Sequence, residues 1–220
     1  MFSFKDLIIV CGHYGCGKTN FSINLARYLR ESGKKVSIVD LDIVNPYFRT
    51  SDYPKLLKEL DISLVASHYV HSNLDIPALP PEMYAAFESD DTVIVDVGGD
   101  DSGAAALGRF SALIANKGYQ MLYLINKYRI LTQKPDEALE LLYEIEQASR
   151  LKVTHLVNNS HLKSDTSKQD IVNGTEYANE VAKASNLPLL LTTAPKGVIK
   201  NHNKIKDLFE VDIYVKTDWE

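Results

Sequence analysis

Gly12-His-Tyr-Gly-Cys-Gly-Lys18-Thr19 reads glycine, four residues, then Gly-Lys-Thr, the spacing of a phosphate-binding loop. The flanks suit that reading. Before it, Leu7-Ile8-Ile9-Val10-Cys11 is a short apolar run rich in β-branched residues, which predicts a buried parallel strand. After it, Phe21, Ile23, Leu25, Ala26, Tyr28 and Leu29 recur among polar residues up to Glu31, which predicts a packed helix. Strand, glycine loop and helix form the context this motif requires. Gly12, Gly15 and Gly17 let the backbone curl so that its N–H groups converge on phosphate oxygens. The helix N-terminus adds partial positive charge. The expected binding stretch is Gly12, His13, Tyr14, Gly15, Cys16, Gly17, Lys18, Thr19 and Asn20. Lys18 would reach the β- and γ-phosphates, and the Thr19 hydroxyl would hold Mg²⁺.

Composition sets bounds on the rest. The chain has 220 residues, 45% apolar and 24% charged, with a formal net charge of −5. That length suits one α/β domain spanning residues 1–220. The acidic balance argues against a nucleic-acid partner held by bulk charge. Two cysteines, Cys11 and Cys16, lie beside the loop, and nothing suggests an oxidising compartment. No basic-then-apolar leader opens the chain and no apolar run approaches a membrane span. A cytoplasmic protein without a membrane partner is the expectation.

Further strand-like runs recur at Val36–Asp40, Ile62–Ala66, Thr92–Asp96, Gln120–Asn126, Val153–Asn158 and Leu187–Thr192. Helical patterns lie between them, with Ala104–Ala115, Lys134–Ser149 and Ser167–Asn186 the longest. A last helix over roughly Lys196–Phe209 is expected before a final run, Val211–Val215. Alternation of this kind predicts an α/β fold, a single doubly wound and mostly parallel sheet of about seven strands flanked by helices. Ligands in such sheets bind beyond the carboxyl ends of the strands. Two acidic motifs fall there. Asp96 closes an apolar strand before Val97-Gly98-Gly99, the Walker B pattern that holds Mg²⁺ directly or through water. Asp40 and Asp42 follow the second strand, and on extended chain they point the same way. One could hold a magnesium-bound water while the other orients the attacking water.

Together, Gly12 to Thr19, Val39-Asp-Leu-Asp42 and Val95-Asp96-Val-Gly-Gly99 resemble the MinD/ParA/CobQ-like branch of P-loop NTPases, the SIMIBI class. More narrowly, Asp40-Leu-Asp-Ile-Val-Asn-Pro-Tyr-Phe-Arg49 and Asp96-Val-Gly-Gly-Asp-Asp-Ser-Gly103 are similar to a group of bacterial MinD-like proteins described as predicted ATP-binding proteins. The resemblance implies sheet order 3-2-4-1-5-6-7, ATP and Mg²⁺ as cofactors, Asp42 positioning the hydrolytic water, and Asp40 supporting the metal with Thr19 and Asp96. Lys18 and Asp42 are then the catalytic pair. That branch often carries a lysine after the first loop glycine that reaches across a homodimer to the partner's nucleotide. Here His13 stands there, shorter and mostly neutral at pH 7. Relatives without that lysine include small-molecule ligases and GTPases that insert metals.

Base choice rests on two places. Guanine-specific NTPases use Asn-Lys-x-Asp, but Asn126-Lys-Tyr-Arg129 ends in an arginine, which has no acceptor. Asn158 and Asn159 end the sixth strand, where the branch commonly places an adenine-contacting Asn. Thr193-Ala194-Pro195 is a further candidate for packing on the base. The expected function is Mg-dependent ATP binding and hydrolysis, driving a switch that recruits or releases a partner protein. The alternatives are an ATP-dependent small-molecule ligase of the CobQ or dethiobiotin-synthetase kind, and a metal-insertion GTPase. A ligase pocket would use Tyr47, Phe48, Arg49 and the 67–80 loop. Arg49 could instead act on phosphate. Asp100 and Asp101, His68 and His71, and the Cys11/Cys16 pair are weak metal candidates. Lys196, Lys200, His202, Lys204 and Lys206 read as a solvated face.

Overall fold

Alternation inside each strand sorts the core into two layers. In β1 (Leu7–Gly12), Leu7, Ile9 and Cys11 pack on one side of the sheet, and Ile8 and Val10 on the other. Both faces of a parallel sheet are covered, so the run is apolar throughout rather than alternating. The computed structural model describes residues 2–42, 49–66, 81–99, 101–200 and 205–216. Tyr47, Phe48, the 67–80 loop with His68 and His71, Asp100, His202 and Lys204 lie outside them.

The chain runs β1, α1 (Lys18–Glu31), β2 (Val36–Leu41), a 3₁₀ turn (Thr50–Asp52), α2 (Pro54–Glu59), β3 (Ser63–Ala66) and α3 (Pro81–Glu88). It continues with β4 (Thr92–Val97), α4 (Asp101–Gly108), α5 (Ser111–Lys117), β5 (Gln120–Ile125), α6 (Pro135–Ser149) and β6 (His155–Asn158). After α7 (Lys168–Ser185) come β7 (Leu189–Pro195) and β8 (Leu208–Val211). Among the described residues the sheet has eight strands in the order β3-β2-β4-β1-β5-β6-β7-β8, every pair parallel. The central strand is β1, between β4 and β5, so the phosphate loop leaves the middle of the sheet at its carboxyl edge. The seven-strand order expected from the resemblance is present, and β8 extends it.

Three expectations are corrected. The expected last helix at 196–209 is not what forms at its end. Gly197 takes a positive φ of 82°, and Leu208–Val211 is a strand that sends Phe209 and Val211 into the layer beside α1. Ile199 and Ile205 lie within the expected helix. They pack instead with Ile171 and Ala194 in a small cluster of their own. The expected 104–115 helix is two helices, broken at Arg109 and the buried Phe110. Gly108 lies against the carbonyl of Ala148 on α6, where a Cβ would come within 2.6 Å of that oxygen. Lastly, Cys16 does not project from its loop. It is buried, its Sγ close against Gly12, and burial pushes its thiol above the ordinary cysteine value. Cys11 donates to the Leu122 carbonyl at 3.5 Å. Burial raises both thiols, which disfavours the thiolate that metal binding and redox chemistry need.

Candidate functional site

The phosphate loop is shaped by contacts that admit only glycine. Gly12 has φ +146° and packs on the Leu124 carbonyl of β5. Gly17 has φ +94°, and a Cβ there would run into the Asn159 amide. Side chains are strained at such angles. Gly17 is also the residue before α1, so no side chain caps that helix, and its first turn carries no acid. The first N–H groups of α1 therefore face the cavity with the helix dipole behind them. Lys18 is nearly buried, and its Nζ donates to the His13 carbonyl at 3.1 Å. His13 Nδ1 lies 3.0 Å from the Tyr14 carbonyl. Gly99, after the Walker B strand, touches this loop: a Cβ on it would fall 2.7 Å from Lys18 Nζ and 2.6 Å from Tyr14 Cα.

A carboxylate pair lies beneath the loop. Asp40 on β2 and Asp96 on β4 are direct register partners, and both are buried. Asp96 accepts from Ser22 Oγ at 3.2 Å and Thr50 Oγ1 at 2.5 Å, and Thr19 also hydrogen-bonds it. Burial, and then the charge of Asp40, push its carboxyl up to about 6. Asp40 accepts from the backbone N–H groups of Asp42 at 3.0 Å and Ser51 at 2.8 Å. Burial raises its carboxyl, opposed by those bonds and by the positive charge of Arg49. Asp42 lines the same cavity as Lys18 and Thr19. Two buried acids, both raised by burial, beside a threonine hydroxyl, form an all-oxygen donor set suited to a hard cation such as Mg²⁺. Among the described residues no group of three or more His, Cys, Asp or Glu side chains is placed to hold a metal. Mg²⁺ needs no such cage where phosphate and water fill its other positions.

The cavity, of about 240 Å³, extends from the loop over the ends of β5 and β6, lined at its far side by Asn126, Arg129, Asn159, His161, Lys163, Ile213 and Val215. Asn159 is held rigidly, donating to the Cys16 carbonyl at 2.7 Å and accepting from Thr193 Oγ1 at 2.5 Å. Asn158 does not line the cavity. It is fully buried, donating to Thr192 Oγ1 at 3.3 Å and accepting from the Ser160 N–H at 3.2 Å. Thr193, Ala194 and Pro195 belong to β7 and are buried, so they support Asn159 from behind. Arg129 reaches back to the phosphate loop, its side chain packed over Gly15. His161 accepts from the Lys163 N–H at Nδ1, 3.2 Å, which leaves the ring proton on Nε2, a buried atom with no hydrogen-bond partner among the described residues. Burial, then the charges of Arg129 and Lys163, bring this histidine down to about 4.

Several residues of the site went unread in the sequence. Ser22 had a signal, because it follows Thr19 by one helical turn and shares its face. Thr50 had none, since its approach to Asp96 depends on the loop before it. Asn20 stands next to Thr19 and also lines the cavity, but its amide is committed to the chain after β8. It accepts from the N–H groups of Tyr214 at 2.8 Å and Val215 at 3.2 Å and donates to the Asp212 carbonyl at 3.0 Å. Arg49 pairs with Asp52 at 3.8 Å. Asp101 opens α4, and Lys196 pairs with Asp212 at 2.7 Å. No described helix is long and apolar enough to cross a membrane.

Solved structures share this fold. The chain superposes on FtsY from Mycoplasma mycoides with a TM-score of 0.60 and 17% identity, over 88% of this chain and 62% of that one. Chloroplast FtsY from Physcomitrella patens gives 0.59 and 17%, over 90% and 60%. The signal recognition particle 54 kDa protein from Aeropyrum pernix, solved in complex with GDP, gives 0.55 and 18%, over 84% and 40%. The chain thus spans less than two thirds of each of these proteins, and at such identities the likeness is one of fold. No curated protein matches the sequence. A family model does: residues 7–204 match the CobQ/CobB/MinD/ParA nucleotide binding domain. That span holds the phosphate loop and both buried acids, and the chain belongs to this family of P-loop nucleotide-binding proteins.

Proposed function

We propose that the protein binds Mg·ATP in this cavity and hydrolyses it as a nucleotide-dependent switch. The observation that carries the reading is the meeting of Lys18, Thr19 and Asp42 in one cavity, over the buried Asp40/Asp96 pair. The glycine loop and the start of α1 bind phosphate oxygens through backbone N–H groups. Lys18 exchanges the His13 carbonyl for a phosphate oxygen. Thr19, Asp96 and Asp40 would hold Mg²⁺, which neutralises charge on the phosphates when bound. Asp42 orients the attacking water and accepts its proton. Gly99 brings its backbone beside Lys18, where the terminal phosphate would lie, so the Walker B loop senses whether that phosphate is present.

ATP rather than GTP is supported by the residues around the base. A guanine edge offers N–H donors and needs an acidic acceptor. Among the described lining residues Asp42 alone is acidic, and it is assigned to the water. Asn126, Asn159 and His161 are neutral, and Arg129 is a donor only. A calorimetric titration with both nucleotides in the presence of Mg²⁺ tests this. ATP should bind at least tenfold more tightly, a difference of about 1.4 kcal/mol, and a tenfold preference for GTP would falsify the assignment.

A further inference from the structure

After β8 the chain leaves the sheet and crosses α1 as an extended strap, residues 212–215. Two asparagines one helical turn apart hold it. Asn20 bonds the Asp212 carbonyl and the N–H groups of Tyr214 and Val215. Asn24 donates to the Asp212 carbonyl at 2.9 Å and accepts from the Asp212 N–H at 2.8 Å. The amides thus act as a substitute strand edge for a segment that has no neighbouring strand. Arg27 fixes the far side, bonding Asp212 and the Tyr214 hydroxyl, with its guanidinium 5.9 Å from the Tyr214 ring centre. Extended chain sends alternate side chains to opposite sides. Tyr214 accordingly meets Arg27, while Ile213 and Val215 both line the nucleotide cavity.

These two are the sole aliphatic side chains among the described lining residues. Phosphate gains nothing from an aliphatic wall. A flat heterocycle does, because its faces are poorly hydrated while its edge needs polar partners. Asn126, Asn159 and His161 line the same cavity and supply such partners. We propose that the strap is the wall on which the nucleotide base lies, with Ile213 and Val215 as its contact surface and Asn20 and Asn24 as the residues that position it. The proposal rests on the cavity being a nucleotide site. Asn20 lies two residues after Lys18 on the same helix, so the wall and the phosphate loop are set by one rigid element. That preorganises the spacing between base and phosphate subsites.

The test separates base from phosphate. Affinities for Mg·ATP and for Mg²⁺ with inorganic tripolyphosphate are measured on the wild type, on an Ile213→Ala/Val215→Ala variant and on Asn20→Ala, each first shown to be folded by its melting transition. The wall predicts that both variants lose ATP affinity about tenfold or more and keep tripolyphosphate affinity within about twofold. Asn20→Asp retains the acceptor for Tyr214 and Val215, and should restore most of the loss seen in Asn20→Ala. Unchanged ATP affinity in the folded double variant overturns the wall. An equal loss for both ligands also overturns it, because the strap would then be acting through the phosphate loop. A wild type that binds tripolyphosphate as tightly as ATP overturns it too, while leaving the phosphate site intact. A wild type that binds neither ligand overturns the nucleotide reading itself.

Discussion

Asp40 and Asp96 stand opposite each other across the β2–β4 ladder, two buried carboxyls on the floor of a phosphate loop. Burial raises the cost of ionising both, and the charge of Asp40 adds to that cost at Asp96. The site is therefore built at the expense of the empty protein's stability.

Replacing Asp96 by asparagine should stabilise the nucleotide-free protein at pH 8. The folded carboxyl, near 6, lies above the ordinary aspartate value of 3.8. The folded state holds its proton more tightly, so the wild type loses stability as pH rises through about 6. A gap of about 2 corresponds to at most about 3 kcal/mol. The amide cannot ionise and can still pair with Ser22 and Thr50. The melting temperature of Asp96→Asn should exceed that of the wild type at pH 8, with the two converging near pH 4. A lower value at pH 8 would show that the carboxylate's bonds outweigh its burial.

Lys18→Ala should abolish the stabilisation that nucleotide confers. A ligand that binds only the folded state adds about 2.7 kcal/mol at a hundredfold excess over Kd. Thermal melting with and without Mg·ATP measures it. The wild type should shift upward by several degrees and the variant should not move. An unchanged shift in the variant would place the nucleotide elsewhere.

Asp42→Asn should retain ATP binding and lower turnover at least tenfold, because the amide keeps the shape but cannot take the water's proton. Asp40→Asn should instead raise the Mg²⁺ concentration needed for half-maximal turnover. Single-turnover hydrolysis with ATP prebound separates chemistry from binding. Wild-type turnover in Asp42→Asn would remove this residue from the water-positioning role. If the wild type is silent until a small-molecule carboxylate is added, the ligase reading takes the place of the switch.

His161 should make the protein sensitive to mild acid. Its pKa of about 4 lies below the ordinary histidine value of 6.5, because the ring is buried and also faces the charges of Arg129 and Lys163. The unfolded chain takes up the proton first, so stability is lost as pH falls from about 6.5 towards 4. The loss approaches about 3 kcal/mol at its fullest. His161→Gln has no proton to gain there. Its melting temperature should fall less than that of the wild type between pH 7 and pH 4.5. Parallel curves for the two proteins would rule the histidine out as the source.

Much of this was legible in the sequence, because the signals were local. Gly12 to Thr19 announces a backbone shape that few other residues tolerate, and Asp40 and Asp96 close apolar strands whose parallel register follows from the fold. The unread parts depend on distant pairings. Thr50 reaches Asp96 across 46 positions and Asn20 reaches Val215 across 195, and no short-range pattern encodes either. The expected helix at 196–209 failed for a related reason. Ile199 and Ile205 pack in one small cluster and Phe209 in the layer beside α1, and sequence spacing alone cannot distinguish that from one helical face. Asn158 was singled out with Asn159 by position, although adjacent residues at a strand end face opposite ways.

The hold of Asn20 and Asn24 on residues 212–215 also sets a timetable for synthesis. The phosphate loop and α1 leave the ribosome before most of the sheet, and β1 must wait for β4 and β5 before it is flanked. The two asparagines wait longer, since their partners emerge about 190 positions later. Domains acquire long-range contacts only after the intervening chain is available. A nascent chain stalled before residue 212 would therefore present α1 with two unsatisfied amides and a phosphate loop open on one side. If the strap is the base wall, affinity for a complete nucleotide arises only once residues 212–215 are in place.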